Sequence, residues 1–234
     1  MIGSHLLNYL TDNGYYVTQF VGDVTVEEDW DKYHDRHFDG MIHLAALAGV
    51  RPSFQDPEKY YFNNVEGTER AFDFARANNI AKVLYASSSN AYEWWGNPYA
   101  ATKKMNEIQG QHLPSIGMRF HTVWPGREDM LYRKLQKGEV SYINVNHHRD
   151  FIHVDDLVSA IRLIYDNFSQ LLATGRVRDI GTGQTVSVAD VAKVMGYQGE
   201  YRTENPVGER IETCANVEYL LQLGWTPTKN ILNQ

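Results

Sequence analysis

LYASSSNAYEWWGNPYAATKKMNE, residues 84–107, decides how the rest of this chain is read. It continues an apolar, β-prone run, Val83-Leu84-Tyr85-Ala86, and then places three serines, Ser87, Ser88 and Ser89, where a strand should end. A short loop leads into a helix-prone segment carrying Tyr99 and Lys103. Four residues apart on a helix, these two side chains share one face, one turn from each other. A tyrosine with its ordinary pKa of about 10 is a poor base at neutral pH. A nearby ammonium stabilises the phenolate and makes that oxygen a usable general base or acid. A serine hydroxyl offered from the strand end can hydrogen-bond the same substrate oxygen.

Outward from this stretch, strands and helices alternate with short connections, which predicts an α/β fold with a parallel sheet. An opening helix is expected over residues 1–14, with Ser4 as a cap and Asn13-Gly14 as its end. Strands are expected at Tyr15–Val21, at Gly40–Leu44, at Ile80–Ala86 and at Gly117–Val123. A long helix is expected over 57–79, with the mediocre helix formers Asn63 and Asn64 inside it. Small residues, Ala45 and Ala46, follow the second of these strands at its C-terminal end, where ligands sit in open α/β sheets. They admit a cofactor close to the backbone, or simply tight packing. Beyond residue 123 come shorter helices and strands that read as a smaller lobe.

With 234 residues the chain is long enough for one sizeable domain, or a domain with a small lobe. Its net charge of −7 without a basic block argues against nucleic acid as a main partner. The single cysteine, Cys214, cannot form an internal disulfide, and no Cys/His spacing suggests a metal. No apolar run reaches the roughly 18 residues of a membrane span, and no signal peptide is visible, so a reducing cytoplasm is the expected compartment.

Six segments in order resemble the extended short-chain dehydrogenase/reductase family of nucleotide-sugar epimerases and dehydratases, the UDP-glucuronate 4-epimerases most of all. They are HLAALAGVRPS at 43–53, YYFNNVEGT at 60–68, YASSSNAY at 85–92, PYAATKKMNE at 98–107, RDFIHVDD at 149–156 and LGWTP at 223–227. The resemblance implies a Rossmann-like doubly wound parallel sheet, shortened at its N-terminus, with a small C-terminal α/β substrate lobe. It assigns residues 1–123 to an NAD-binding core and 124–234 mainly to the lobe, with some segments returning to the core. The cofactor implied is NAD, the substrate a UDP-sugar or another nucleotide sugar, and the assembly a homodimer through the helices holding Asn64 and Tyr99.

Residue by residue, the resemblance makes Ser88, Tyr99 and Lys103 catalytic. It places Ile2, Gly3, Asp23, Ala45, Ala46, Asn64, Tyr99 and Lys103 against the cofactor. Arg51, Ser88, Ser89, Thr122, Arg127, Arg149 and Glu209 fall on the substrate side, with Arg210 beside Glu209 a further candidate. Ile2-Gly3-Ser4-His5 matches only the end of the family's glycine-rich turn; the preceding strand and first two glycines are absent from this sequence. The chain starts late, or another segment fills that place, or cofactor binding is impaired. The family's ribose-binding acid falls at Val21, and Gly22-Asp23 resembles a later stretch whose aspartate contacts adenine. Asp23 is equally readable as a turn aspartate. For the neighbouring acids a structural part is expected: Asp150 orients Arg149, and Asp155 and Asp156 cap a helix over 156–168.

Family dehydratases and decarboxylases carry acids after the catalytic Ser/Thr. Here Ser89-Asn90-Ala91 follow, which favours an epimerase. The serines together with Thr122 favour a uronate over a neutral hexose. The alternatives are a non-catalytic nucleotide-sugar-binding relative that has lost NAD, and a dehydratase or reductase of the same family. Trp94 and Trp95 lie near the site, either over the sugar or packed on the helix.

Overall fold

The structure is a computed structural model and describes residues 1–204 and 206–234. Among the described residues ten strands are formed: β1 (Gly40–His43), β2 (Lys82–Ser88), β3 (Ser115–Phe120), β4 (Thr122–Trp124), β5 (Tyr142–Asn144), β6 (His148–Arg149), β7 (Phe151–His153), β8 (Val177–Ile180), β9 (Val186–Ser187) and β10 (Glu200–Arg202). The fold is Rossmann-like α/β with a parallel sheet. Its four-stranded sheet has the order β1-β2-β3-β8. β1 and β2 run parallel, Gly40 opposite Lys82 through His43 opposite Tyr85. The helical connection between them, 57–77, is the crossover that parallel pairing requires.

Two compact units make up the chain. One comprises Val17–Arg119 and Ile164–Arg178; the other comprises Met1–Tyr16, Phe120–Leu163 and Asp179–Gln234. The core of the first gathers Trp30, Tyr33, Phe72, Phe74, Ile80, Val83 and Tyr85. Tyr85 is buried edge-on against Phe72 at 5.3 Å. Gly110 and Gly117 lie so close to its ring that a Cβ at either would come within 2.6 Å of the hydroxyl, so only glycine fits beside it. The second unit has its own core of Trp124, Leu135, Ile143, Phe151, Val191 and Ile231. Its strands pair as β4 with β7 and β5 with β10, both parallel, and β6 with β9, antiparallel.

Four local expectations fail, the first at Gly117–Val123, which breaks at His121 into β3 and β4 in separate sheets. Tyr15–Val21 forms no strand: Tyr16 is 97% exposed, the Val21 amide donates to the Tyr33 hydroxyl, and Phe20 stacks on Trp30 and Tyr33. β-prone residues become a strand only when a neighbouring edge takes their hydrogen bonds, and here the Tyr33 hydroxyl accepts from the Val21 amide and donates to the Gln19 carbonyl. The opening helix, Ile2–Asp12, has no side-chain cap, so Ser4 lies inside it rather than at its start. The helix 57–77 is not uniform: residues Phe62–Glu66 widen into a π-turn at the Asn63-Asn64 pair. Such widening is common at functional sites because it redirects a side chain that an α-helix would aim elsewhere.

Candidate active site

β2 ends on Ser88, whose backbone is still extended, and the chain then tightens into a 3₁₀ segment, Ser89–Gly96. The Ser88 hydroxyl accepts from the Asn90 amide at 3.2 Å and the Asn90 side chain at 3.3 Å, capping that segment. Ser87, one residue earlier, donates instead to Glu107 at 2.7 Å. The segment stops at Asn97, whose side chain accepts from the Ala100 amide and starts the helix Pro98–Gln109, with proline at its first position. Tyr99 lies in the first turn of this helix, half-buried, with Tyr60 edge-on at 6.2 Å. Lys103 lies one turn on.

Lys103 is buried, and its Nζ donates to the Ala86 carbonyl at 3.0 Å. Burial pushes its pKa down to about 8, so it is still an ammonium at pH 7, although held against its solvation. His43, at the end of β1, is buried as well and donates to or accepts from Thr68 at 3.1 Å. Burial and the nearby Lys103 charge hold its pKa down to about 3, which leaves the imidazole neutral.

Asn64 is fully buried and clamps the loop after β1. Its Oδ1 accepts from the Leu47 amide at 2.8 Å, and its Nδ2 donates to the Leu47 carbonyl and the Thr102 hydroxyl, both at 3.0 Å. Tyr60 adds a bond from its hydroxyl to the Ala48 carbonyl. The loop so held borders a cavity of about 440 Å³ lined by Gly22, Asp23, Val24, Ala45, Ala46, Leu47 and Asn63. Asp23, Ala45 and Ala46, three cofactor candidates, thus meet on one concave surface. Asp23 is also the turn aspartate: one carboxylate oxygen accepts from the Thr25 amide and hydroxyl, and these bonds hold its pKa low. Arg51 is exposed on the short helix Val50–Gln55, and Ser89 is buried beside Ser88.

The remaining candidates lie in the other unit. Ile2 and Gly3 open the helix Ile2–Asp12, with open space around Gly3. Thr122 is in β4, and its amide donates to the Asp150 carbonyl. Arg127 makes a two-pronged pair with Asp129 at 2.9 and 2.8 Å. Arg149 directs its fork at backbone, to the carbonyls of His148, Arg210 and Ile211. Burial lowers its pKa to about 10, partly offset by Glu209. Glu209 itself lies 3.8 Å from the His147 ring. Arg210 lends Arg149 its carbonyl, not its side chain.

Two aspartates depart from their expected parts. Asp150 accepts from the Thr182 amide and hydroxyl and from the Gly183 and Ala215 amides, and no bond joins it to Arg149. A fully buried carboxylate needs every lone pair filled, and these loops fill them. Asp156 is inside the helix Val154–Asp166 and accepts from Thr228 and Lys229, tying down the stretch after Gly224-Trp225. Sequence reasoning missed His43, Thr102 and the buried Glu107–Arg119 pair. For Glu107 a signal existed: it follows Lys103 by four residues and Tyr99 by eight, on the same helix face.

Residues 1–181 match the NAD dependent epimerase/dehydratase family. Protein CapI of Staphylococcus aureus is 32% identical over 216 residues, covering 68% of this chain and 65% of that protein. UDP-glucuronate 4-epimerase 4 of Arabidopsis thaliana is 28% identical over 244 residues, 83% of this chain and 55% of the plant protein. The chain therefore spans between about half and two thirds of the length of these curated relatives. Among solved structures, MoeE5 in complex with UDP-glucose and NAD superposes with a TM-score of 0.82 at 27% identity, covering 99% of this chain and 92% of that one. No helix among the described residues is long and apolar enough to cross a membrane. The chain belongs to the NAD dependent epimerase/dehydratase family.

Proposed function

We propose that this chain carries the active site of a nucleotide-sugar epimerase that inverts C4 of a UDP-sugar, a UDP-uronate such as UDP-glucuronate before a neutral hexose, through a transient 4-keto sugar. The observation that carries this is the buried, uncompensated Lys103 ammonium one helical turn from Tyr99, beside the strand end that bears Ser88. A positive charge held there favours the tyrosine phenolate. Tyr99 then takes the proton from the C4 hydroxyl, while the Ser88 hydroxyl holds that oxygen in line. After the sugar turns in the pocket, Tyr99 returns the proton to the carbonyl oxygen.

The residues present fit NAD on two sides. Asp23, Ala45 and Ala46 line a cavity large enough for part of a dinucleotide, and Lys103 suits the nicotinamide ribose. When bound, NAD accepts hydride from C4 and supplies it again to the opposite face. Arg127, Arg149 and Thr122 are the residues proposed for the nucleotide phosphates and sugar. MoeE5, 27% identical, is seen in complex with NAD and either UDP-glucose or UDP-glucuronic acid, which supports a UDP-sugar; the preference for a uronate rests on the serines and Thr122. A homodimer is part of the same proposal. It is supported by exposed Tyr61, Met105 and Ile108, which line one shallow apolar cavity on the helices that bear Asn64 and Tyr99. The cytoplasm is the compartment proposed with it.

The second reading is a nucleotide-sugar-binding relative without turnover, favoured by Val21 at the position where the family resemblance expects the ribose-binding acid. Titration of the 234-residue chain with NAD by calorimetry, with denatured protein checked for trapped NAD, separates the two. Micromolar or trapped NAD, followed by conversion of UDP-glucuronate, supports the epimerase. Absence of both NAD binding and turnover overturns it for this chain.

A further inference from the structure

Glu107 takes no part in the chemistry above, yet its buried carboxylate touches each element that carries it. Oε1 accepts from Ser87 Oγ at 2.7 Å and from Arg119 Nε at 2.6 Å. Oε2 accepts from Arg119 Nη2 at 2.7 Å and from Lys104 Nζ at 3.3 Å. Ser87 immediately precedes Ser88 at the end of β2, and Glu107 shares the helix face of Tyr99 and Lys103. Arg119, on β3, lies with its guanidinium carbon 4.1 Å from the centre of the Tyr92 ring. Tyr92 belongs to the 3₁₀ segment between Ser88 and Tyr99. One carboxylate therefore joins the strand end, the helix and, through Arg119, the loop connecting them.

We propose that Glu107, held by Arg119, is a positioning residue that fixes the strand end bearing Ser88 against the helix bearing Tyr99. Backbone bonds set each element internally but leave its sliding against the other to side chains. A buried ion pair with both oxygens doubly occupied adds directional constraint where apolar contacts add none. Displacement of reacting groups by about 1 Å costs on the order of 10²-fold in rate, so such a constraint is read in turnover. The catalytic consequence rests on the epimerase reading; the positional one does not.

Ser87→Ala cuts the link to the strand while leaving the Glu107–Arg119 pair intact, and Ser87→Thr restores the hydroxyl. With UDP-glucuronate as substrate, Ser87→Ala should lower kcat by about tenfold or more at unchanged KM, with Tm down by a few degrees for the lost buried hydrogen bond, and Ser87→Thr should recover most of both. Amides of residues 88–96 should exchange with deuterium about tenfold faster in Ser87→Ala. A parent that turns over beside a Ser87→Ala with kcat within about twofold of it would overturn the proposal, as would a loss of kcat that Ser87→Thr fails to recover although it restores Tm. A parent that converts no nucleotide sugar overturns the epimerase reading instead. The exchange result then decides alone: faster exchange at 88–96 supports positioning by Glu107, and parent-like exchange refutes it.

Discussion

Replacing Lys103 by methionine tests whether the charge that the proposed chemistry needs is held at a cost to the fold. Lys103 is 3% exposed, bonded to one carbonyl, with no carboxylate within ion-pair distance among the described residues. Burial displaces its pKa from 10.5 to about 8. By linkage, that displacement corresponds to roughly 3 kcal/mol against the folded state at neutral pH. The sign follows from proton counts. Between pH 8 and 10.5 the unfolded lysine is protonated and the folded one is not, so the unfolded state binds more protons and stability rises with pH. Below pH 8 both are charged and the cost is fully present. Methionine is of similar length and carries no proton, so Lys103→Met lacks this pH-dependent contribution. Its lost bond to Ala86 and any repacking shift the whole curve without bending it.

The expected outcome is therefore a difference of differences. Urea unfolding of parent and Lys103→Met, followed by circular dichroism from pH 7 to 10.5, should show the parent gaining on the variant by roughly 2 kcal/mol between pH 7 and 9.5. Other groups titrate alike in both proteins and cancel. Turnover of Lys103→Met should be lost at every pH. A stability difference constant within about 1 kcal/mol across this range would refute the reasoning, because Lys103 would then be solvated or paired.

Three further outcomes are expected. Tyr99→Phe should reduce turnover by about 10²–10⁴-fold while leaving Tm and the circular dichroism spectrum as they are; unchanged kcat would sink the mechanism. Asn64→Ala removes three buried hydrogen bonds to Leu47 and Thr102 and should lower unfolding free energy by roughly 2–4 kcal/mol in urea, and a loss under about 1 kcal/mol would mean that the loop 45–48 is held some other way. Arg149→Ala should weaken UDP binding in calorimetry and speed hydrogen exchange at 210–213, where its fork now holds the chain; unaltered affinity would remove Arg149 from the nucleotide side.

How much of this was legible in the sequence depended on where each side chain's partner lies. β2 declared itself because a strand buried in a parallel sheet needs a continuous apolar run, and Val83–Ala86 supplies one; β1, read as buried, is a half-buried edge strand in which His43 is the buried residue. The helix bearing Tyr99 was legible as a helix-prone segment, whereas its start at Asn97 and Pro98, a cap followed by proline at the first position, came from the structure. Tyr15–Val21 was misread because strand propensity is a statement about pairing, and no local pattern reveals whether an edge is there to pair with. The π-turn was invisible for a related reason. Asn63-Asn64 marked an anomaly in the helix, but only the loop at Leu47 and the hydroxyl of Thr102 give Asn64 its place. Asp150 and Asp156 were assigned to neighbours in sequence, whereas their donors lie 32 to 73 residues away.

Two cations side by side on the same structure show why function sits where it does. Arg119 and Lys103 are both held out of water by the helix Pro98–Gln109. Arg119 meets the Glu107 carboxylate through both prongs, so its charge is neutralised and geometrically fixed. Removing either partner would strand the other, which makes the pair a part of the framework. Lys103, one turn earlier than Glu107, has only a carbonyl among the described residues, and His43 beside it is neutral. A fold under no chemical demand would relieve that charge with a carboxylate or replace it with an apolar chain. Leaving it bare keeps its field available to whatever anion forms nearby, and a carboxylate at that spot would quench it. The unpaired member of the two is thus the one suited to stabilising a phenolate, and the paired member is the one suited to holding the helix against the strand.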